Sequence, residues 1–257
     1  MTLFQALLLG ILQGITEFLP ISSDGHLVLM ESIFRLPLAD LKGFDVALHF
    51  GTLFAIVAYF WKDIWGLFRQ KKLIAYIVIA TLPAVVVGFT LEDWMDATFR
   101  NPMAVSLFLA FMAFFFLLAE RVARLDGKKQ FTLLNTFVIG VAQALALLPG
   151  VSRSGMTIGT GLFFGFKREE AARFSFLLGI PAIAGAVFLT GIHVLKGEVS
   201  LPSTGLVLVG FVTSAVIGYL AIAFLMRFLK NHRLTVFAVY LMVVSVVTMV
   251  TLSLSNG

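Results

Sequence analysis

The chain has 257 residues, 60% of them apolar and 13% charged, with a mean hydropathy of +1.00. Soluble domains are about a quarter charged, so the composition excludes one and describes a polytopic membrane protein. The lack of cysteine removes disulfides, thiolate catalysis and Cys-ligated zinc, and the net charge of +5 reads as a topology signal rather than nucleic-acid affinity.

The first apolar run, 3–19, has no basic n-region and is interrupted by Gln13, Thr16 and Glu17, so it reads as mature structure rather than a signal peptide. Pro20 and Ser22-Ser23-Asp24-Gly25 stop it, and a short run then leads to Glu31 and Arg35. Spans are predicted at about 43–61, 73–90 and 103–119. Between 131 and 166 the broken pattern returns around Pro149 to Gly155, and the next run meets Lys167-Arg168 after only the stretch 156–166. Such a run rises roughly 16 Å, half of a bilayer core. Spans at about 171–192, 204–226 and 234–254 complete the chain. Both broken regions are predicted to be re-entrant helical hairpins whose tips lie near mid-depth.

Basic residues test this arrangement, because cytoplasmic loops collect Lys and Arg. With both hairpins re-entrant, four joints fall on one side: Lys62, Arg69, Lys71 and Lys72; Arg121, Arg124, Lys128 and Lys129; Lys167, Arg168 and Arg173; Arg227, Lys230 and Arg233. The other side holds Arg35, Lys42, Arg100 and Lys196, which leaves Arg153 inside the membrane and both termini on the non-cytoplasmic face. The hairpins also match at an offset of 130: Gly10 with Gly140, Gln13 with Gln143, Ser22 with Ser152, Gly25 with Gly155. The expected fold is a single all-α integral domain, 1–257, of two repeats (about 1–127 and 128–257), each one hairpin plus three spans. Three spans is an odd number, so the repeats are inverted, and such folds bind ligands where the repeats meet.

An arginine at bilayer depth costs from about 3 to well over 10 kcal/mol, so Arg153, set between Ser152 and Ser154, points to a buried anion site. Gly150, Gly155 and Thr157 complete a turn of the kind that aims backbone N–H groups at phosphate. In the first hairpin Gln13 and Glu17, four apart, share a helix face leading to Ser22, Ser23, Asp24 and His26. Together the tips offer a volume for a multiply charged anion, with carboxylates free to hold a divalent metal. Plainer readings stand beside these. Arg153 and Glu17 could form a structural ion pair, Ser22 or Ser152 could simply cap a helix, and His26 could serve only a helix end. His49 reads as a packed or interfacial side chain and His193 and His232 as interfacial; the pairs Gly155/Gly159 and Gly161/Gly165 read as packing. A secondary transporter or flippase for a phosphorylated lipid or other anion fits the same architecture.

The stretches Gln13-Gly14-Ile15-Thr16-Glu17-Phe18-Leu19-Pro20-Ile21-Ser22-Ser23-Asp24-Gly25-His26 and Pro149-Gly150-Val151-Ser152-Arg153-Ser154-Gly155-Met156-Thr157 closely resemble the two signature motifs of the bacterial undecaprenyl-diphosphate phosphatases of the BacA/UppP type. The resemblance implies a multi-pass enzyme of the bacterial cytoplasmic (inner) membrane that hydrolyses undecaprenyl diphosphate to undecaprenyl phosphate and inorganic phosphate. It implies recycling of the lipid carrier for peptidoglycan and other wall polymers, bacitracin resistance, a site opening to the periplasm, and a divalent cation, Mg²⁺ or Ca²⁺. Carried over by position, Glu17 is the motif acid, Ser23 the nucleophile, His26 the motif histidine and Arg153 the phosphate-binding arginine. Ser152, Ser154 and Thr157 are the hydroxyls around it. Glu17 is the expected metal ligand, with Gln13 and Asp24 as further positions. Two residues depart from the pattern: Gln13 stands where the family often has Glu, and Asp24 where it usually has Ser or Thr. Ser23 is expected to attack the terminal phosphoryl with His26 or Glu17 as proton acceptor, against a competing attack by metal-activated water.

Overall fold

The computed structural model describes residues 1–36, 41–123 and 130–255. Arg124, Lys128, Lys129 and the expected repeat boundary lie outside them. The described residues form eleven helices: α1 (Leu3–Phe18), α2 (Ser23–Ile33), α3 (Lys42–Tyr59), α4 (Trp61–Leu67), α5 (Lys71–Phe99), α6 (Pro102–Val122), α7 (Leu133–Leu145), α8 (Arg153–Phe163), α9 (Arg168–Leu195), α10 (Thr204–Phe228) and α11 (Thr235–Ser255). Helices α5, α6, α9, α10 and α11 are long and apolar enough to cross a membrane, and α3 joins them when taken with α4. All six predicted spans are therefore helical.

Two details depart from the sequence reading. The span expected over 43–61 bends by 74° into the short α4, where Trp61, Trp65 and Phe68 are exposed beside Lys62 and Arg69; aromatic rings among basic residues suit a membrane interface. And α5 does not stop near 90. No Gly or Pro interrupts 91–99, so the helix continues to Phe99 and ends where Pro102 restricts the backbone before it.

Both broken regions are helical hairpins. Ser22 caps α2 by accepting from the Gly25 N–H (3.3 Å), and Ser152 caps α8 by accepting from the Gly155 N–H (3.1 Å). The two short helices start and end 130 residues apart, 23–33 and 153–163. Each first arm packs on a helix of the other half, α1 on α10 and α7 on α5, while α6 packs on α11. Small residues make this possible: a Cβ on Gly14 would stand 2.8 Å from Ile217 Cβ, and one on Gly140 2.6 Å from the Ala80 carbonyl oxygen. Gly155 and Gly159 lie against Phe116 and Phe115 of α6, in keeping with the packing role expected for them.

At one end of the bundle, ion pairs tie the basic joints together: Asp63 with Arg173, Glu120 with Arg168, and Glu169 with Lys230 (3.8 Å). Glu120 Oε1 also accepts from Arg168 Nε (2.8 Å) and from the Leu234 N–H at the start of α11 (2.7 Å). Removing a carboxylate from such a partly buried pair strands its partner, so Glu120→Ala is expected to destabilise the protein by about 3 kcal/mol. Thermal unfolding in detergent reads this directly, and an unchanged midpoint would contradict it.

Candidate active site

The hairpin tips touch: a Cβ on Gly25 would lie 3.0 Å from Gly150 Cα. Gly150 has φ +100° and Ser22 φ +71°, so both chains turn sharply before their second helices begin. Beside this junction lies a cavity of about 220 Å³. Glu17, Ser22, Ser23, Asp24, Ser152 and Arg153 line it, together with residues of α3, α5 and α9.

Glu17 is 6% exposed and organises the cavity. Its Oε2 accepts from Ser23 Oγ (2.6 Å) and from Gln13 Nε2 (3.1 Å), and its Oε1 accepts from Arg153 Nη2 (2.7 Å). Ser23 and Arg153 are the first residues of α2 and α8, so a serine hydroxyl and a guanidinium occupy the same place in two hairpins and one carboxylate joins them. The N–H groups of Ser23, Asp24, Arg153 and Ser154 have no acceptor among the described residues, the usual condition of a helix's first turn and an opening for an anion. Arg153 Nη1 also lacks an acceptor and presses on the backbone of α9, where a Cβ on Gly179 would come within 1.9 Å of it.

The other predicted residues stand behind this layer. Thr157 Oγ1 donates to the Arg153 carbonyl (2.8 Å) and pairs with Ser175 Oγ (2.6 Å). Ser154 lies 3.3 Å from Ser152, oxygen to oxygen. His26 is turned away from the cavity: Nδ1–H donates to the Ser22 carbonyl (2.8 Å), and Nε2 accepts from the Tyr240 hydroxyl (2.8 Å) under a stacked ring.

Two groups that the sequence reading set aside belong here. His49 Nε2 is 3.5 Å from both Glu17 Oε2 and Asp24 Oδ1, and its Nδ1–H donates to the Asp45 carbonyl (2.9 Å). At the far end of the cavity Arg100 Nη2 donates to Asp45 Oδ2 (2.6 Å) and lies 3.5 Å from the fully buried Glu31. The signal for both was Asp45 and His49 four residues apart in an apolar span, which puts two polar side chains on one helix face.

Among the described residues no three His, Asp or Glu side chains converge as a metal cage. Both oxygens of Glu17 are engaged, whereas the Asp24 side chain is 46% exposed. That donor set fits a cation that arrives with most of its ligands, since Mg²⁺ is commonly held by one or two carboxylates plus substrate phosphates.

Residues 6–247 match the family model described as bacitracin resistance protein BacA. The chain is 44% identical over 243 residues to an undecaprenyl-diphosphatase of Thermodesulfovibrio yellowstonii, covering 93% of each chain. A protein of the same name from Rubrobacter xylanophilus is 45% identical over 256 residues (93% of this chain, 94% of the other). Another, from Thermomicrobium roseum, is 42% identical over the full length of both. A match across nearly the whole chain, which takes in both hairpins, shows that this chain belongs to the BacA family.

Proposed function

We propose that the protein is an undecaprenyl-diphosphate phosphatase, a phosphoanhydride hydrolase that returns the lipid carrier to the monophosphate form for wall synthesis. The observation that carries the reading is the hydrogen bond of 2.6 Å from Ser23 Oγ to a carboxylate clamped by Arg153. A serine at a helix start, with a base in contact and an arginine beside it, is equipped for phosphoryl transfer. The relatives' names agree with it.

In the first step Ser23 Oγ bonds to the terminal phosphorus as the bond to the bridging oxygen breaks, and undecaprenyl phosphate leaves. Glu17 takes the serine proton; its contact with Ser23, and the engagement of both His26 nitrogens elsewhere, favour it over His26. Arg153 and the free N–H groups of the two helix starts stabilise the charge on the phosphoryl oxygens. Water then attacks the phosphorus as the bond to Ser23 Oγ breaks, Glu17 returns its proton to Oγ, and the water oxygen leaves with its protons on inorganic phosphate. Arg100 offers a second positive charge for the phosphoryl that stays on the lipid. A divalent cation, Mg²⁺ or Ca²⁺, would be held by Asp24 and would neutralise charge on the diphosphate.

The two hairpins at a 130-residue offset, each packed on the opposite half, support the inverted-repeat arrangement. With the basic joints gathered at one end, they support an inner-membrane protein with both termini outside and a site opening toward the periplasm.

The test is phosphate release from undecaprenyl diphosphate by purified protein in detergent, with cation and with chelator. Ser23→Ala and Arg153→Ala are each expected to abolish release. Near-normal turnover by Ser23→Ala would replace the covalent route by direct water attack, and vectorial lipid movement without release would make the protein a carrier.

A further inference from the structure

A second cavity, of about 930 Å³, lies between α5, α6 and α7 and is lined by apolar side chains alone. It is at the upper end of the roughly 300–1,000 Å³ range of ligand sites. Val86 and Phe137, 60% and 50% exposed, stand on its lip, so it opens where lipid surrounds the bundle. Its position relative to the polar cavity gives it meaning. The end of α5 divides the two: Asp96 and Arg100 face the polar cavity, while Met95 and Phe99 face the groove. The second hairpin does the same, with Gln143 and Leu147 on the polar side and Ala144 and Leu148 on the other. One wall thus separates a space for a charged headgroup from a space for a chain, and Arg100 and Phe99 are adjacent on it.

We propose that this groove is the subsite for the polyprenyl tail of the substrate, which passes over the Phe99–Arg100 end of α5 from the phosphates into the groove. The proposal rests on the phosphatase reading for the identity of the headgroup. A tail moving from lipid into an apolar groove gains little hydrophobic free energy, because lipid chains are already apolar. What the groove supplies is placement: it limits the directions from which the diphosphate enters the cavity, and its effect falls on KM for long chains.

The experiment compares undecaprenyl diphosphate with farnesyl diphosphate on wild type, on V86W and V141W, which fill the groove, and on V243W. Val243 is a lipid-facing residue of α11 (56% exposed) that lies outside the groove. KM for the long chain is expected to rise about tenfold in V86W and V141W, equivalent to about 1.4 kcal/mol, with no matching rise for the short chain and none for either substrate in V243W. Equal changes for both lengths, or no change, overturn the proposal. Independently, a polyprenyl diphosphate carrying a benzophenone at its far end should label peptides from 82–99 and 137–148, and excess unlabelled diphosphate should displace it. Labelling elsewhere, or labelling that is not displaced, marks the groove as a place for ordinary lipid and overturns the proposal. If the wild type releases no phosphate yet the displaceable label maps to the groove, the phosphatase reading falls and the tail subsite stands.

Discussion

Glu17→Gln is expected to lower phosphate release by about 10²–10⁴-fold, the usual contribution of a general base. The amide keeps the size of the side chain and can still accept from Arg153, but it cannot take the proton of Ser23. It also leaves the Arg153 guanidinium without a counter-charge at 15% side-chain exposure; breaking a buried pair by removing one partner costs about 3–5 kcal/mol. Turnover and thermal midpoint should therefore fall together. Arg153→Ala, which strands the carboxylate instead, should match it in stability loss. If Glu17→Gln kept most of its activity, the proton acceptor would have to be sought elsewhere, with His49 the nearest alternative.

Gly179→Ala is expected to cut turnover by about 10²-fold, although residue 179 has no chemistry of its own. Its added Cβ would come within 1.9 Å of Arg153 Nη1, so the guanidinium must move. A misplacement of about 1 Å at a reacting centre can cost about 10²-fold. In an ordinary helix interior, Ala is favoured over Gly by about 1 kcal/mol, which offsets part of the crowding. The expected signature is a large kcat loss beside a small change in thermal midpoint. Unchanged kcat would mean that Arg153 can act from a different rotamer.

The hairpins were legible because their signals are local. Pro20 and Gly150 break apolar runs, Ser22 and Ser152 cap the short helices α2 and α8, and the gathering of Lys and Arg on one side decided that both regions turn back. Glu17, Ser23 and Arg153 were legible because ionised and hydroxyl groups are costly in an apolar environment and so carry information there. The rest depended on tertiary packing. His26 is three residues from Ser23, close enough on a helix to suggest a shared face, yet its ring goes to Tyr240, 214 positions along the chain. In the sequence Arg100 is only one of the four basic residues of the sparse side, because nothing next to it in the chain points to a buried partner. Its partners Glu31 and Asp45 come from two other segments. Gly179 resembled any small residue in a span, since nothing local shows that an arginine lies across it.

The crossed packing of the hairpin arms bears on how the protein is made. α1 rests on α10, which begins at Thr204, while α1 ends at Phe18. At roughly 5–20 residues per second of synthesis, Gln13 and Glu17 wait between about 7 and 40 seconds for the helix that covers their arm and for the arginine that neutralises the acid. During that interval α1, at 16 residues, is shorter than the roughly 20 that span a bilayer, and Glu17 is without its partner Arg153. Each half on its own therefore lacks the helix on which its first arm packs, α10 for α1 and α5 for α7.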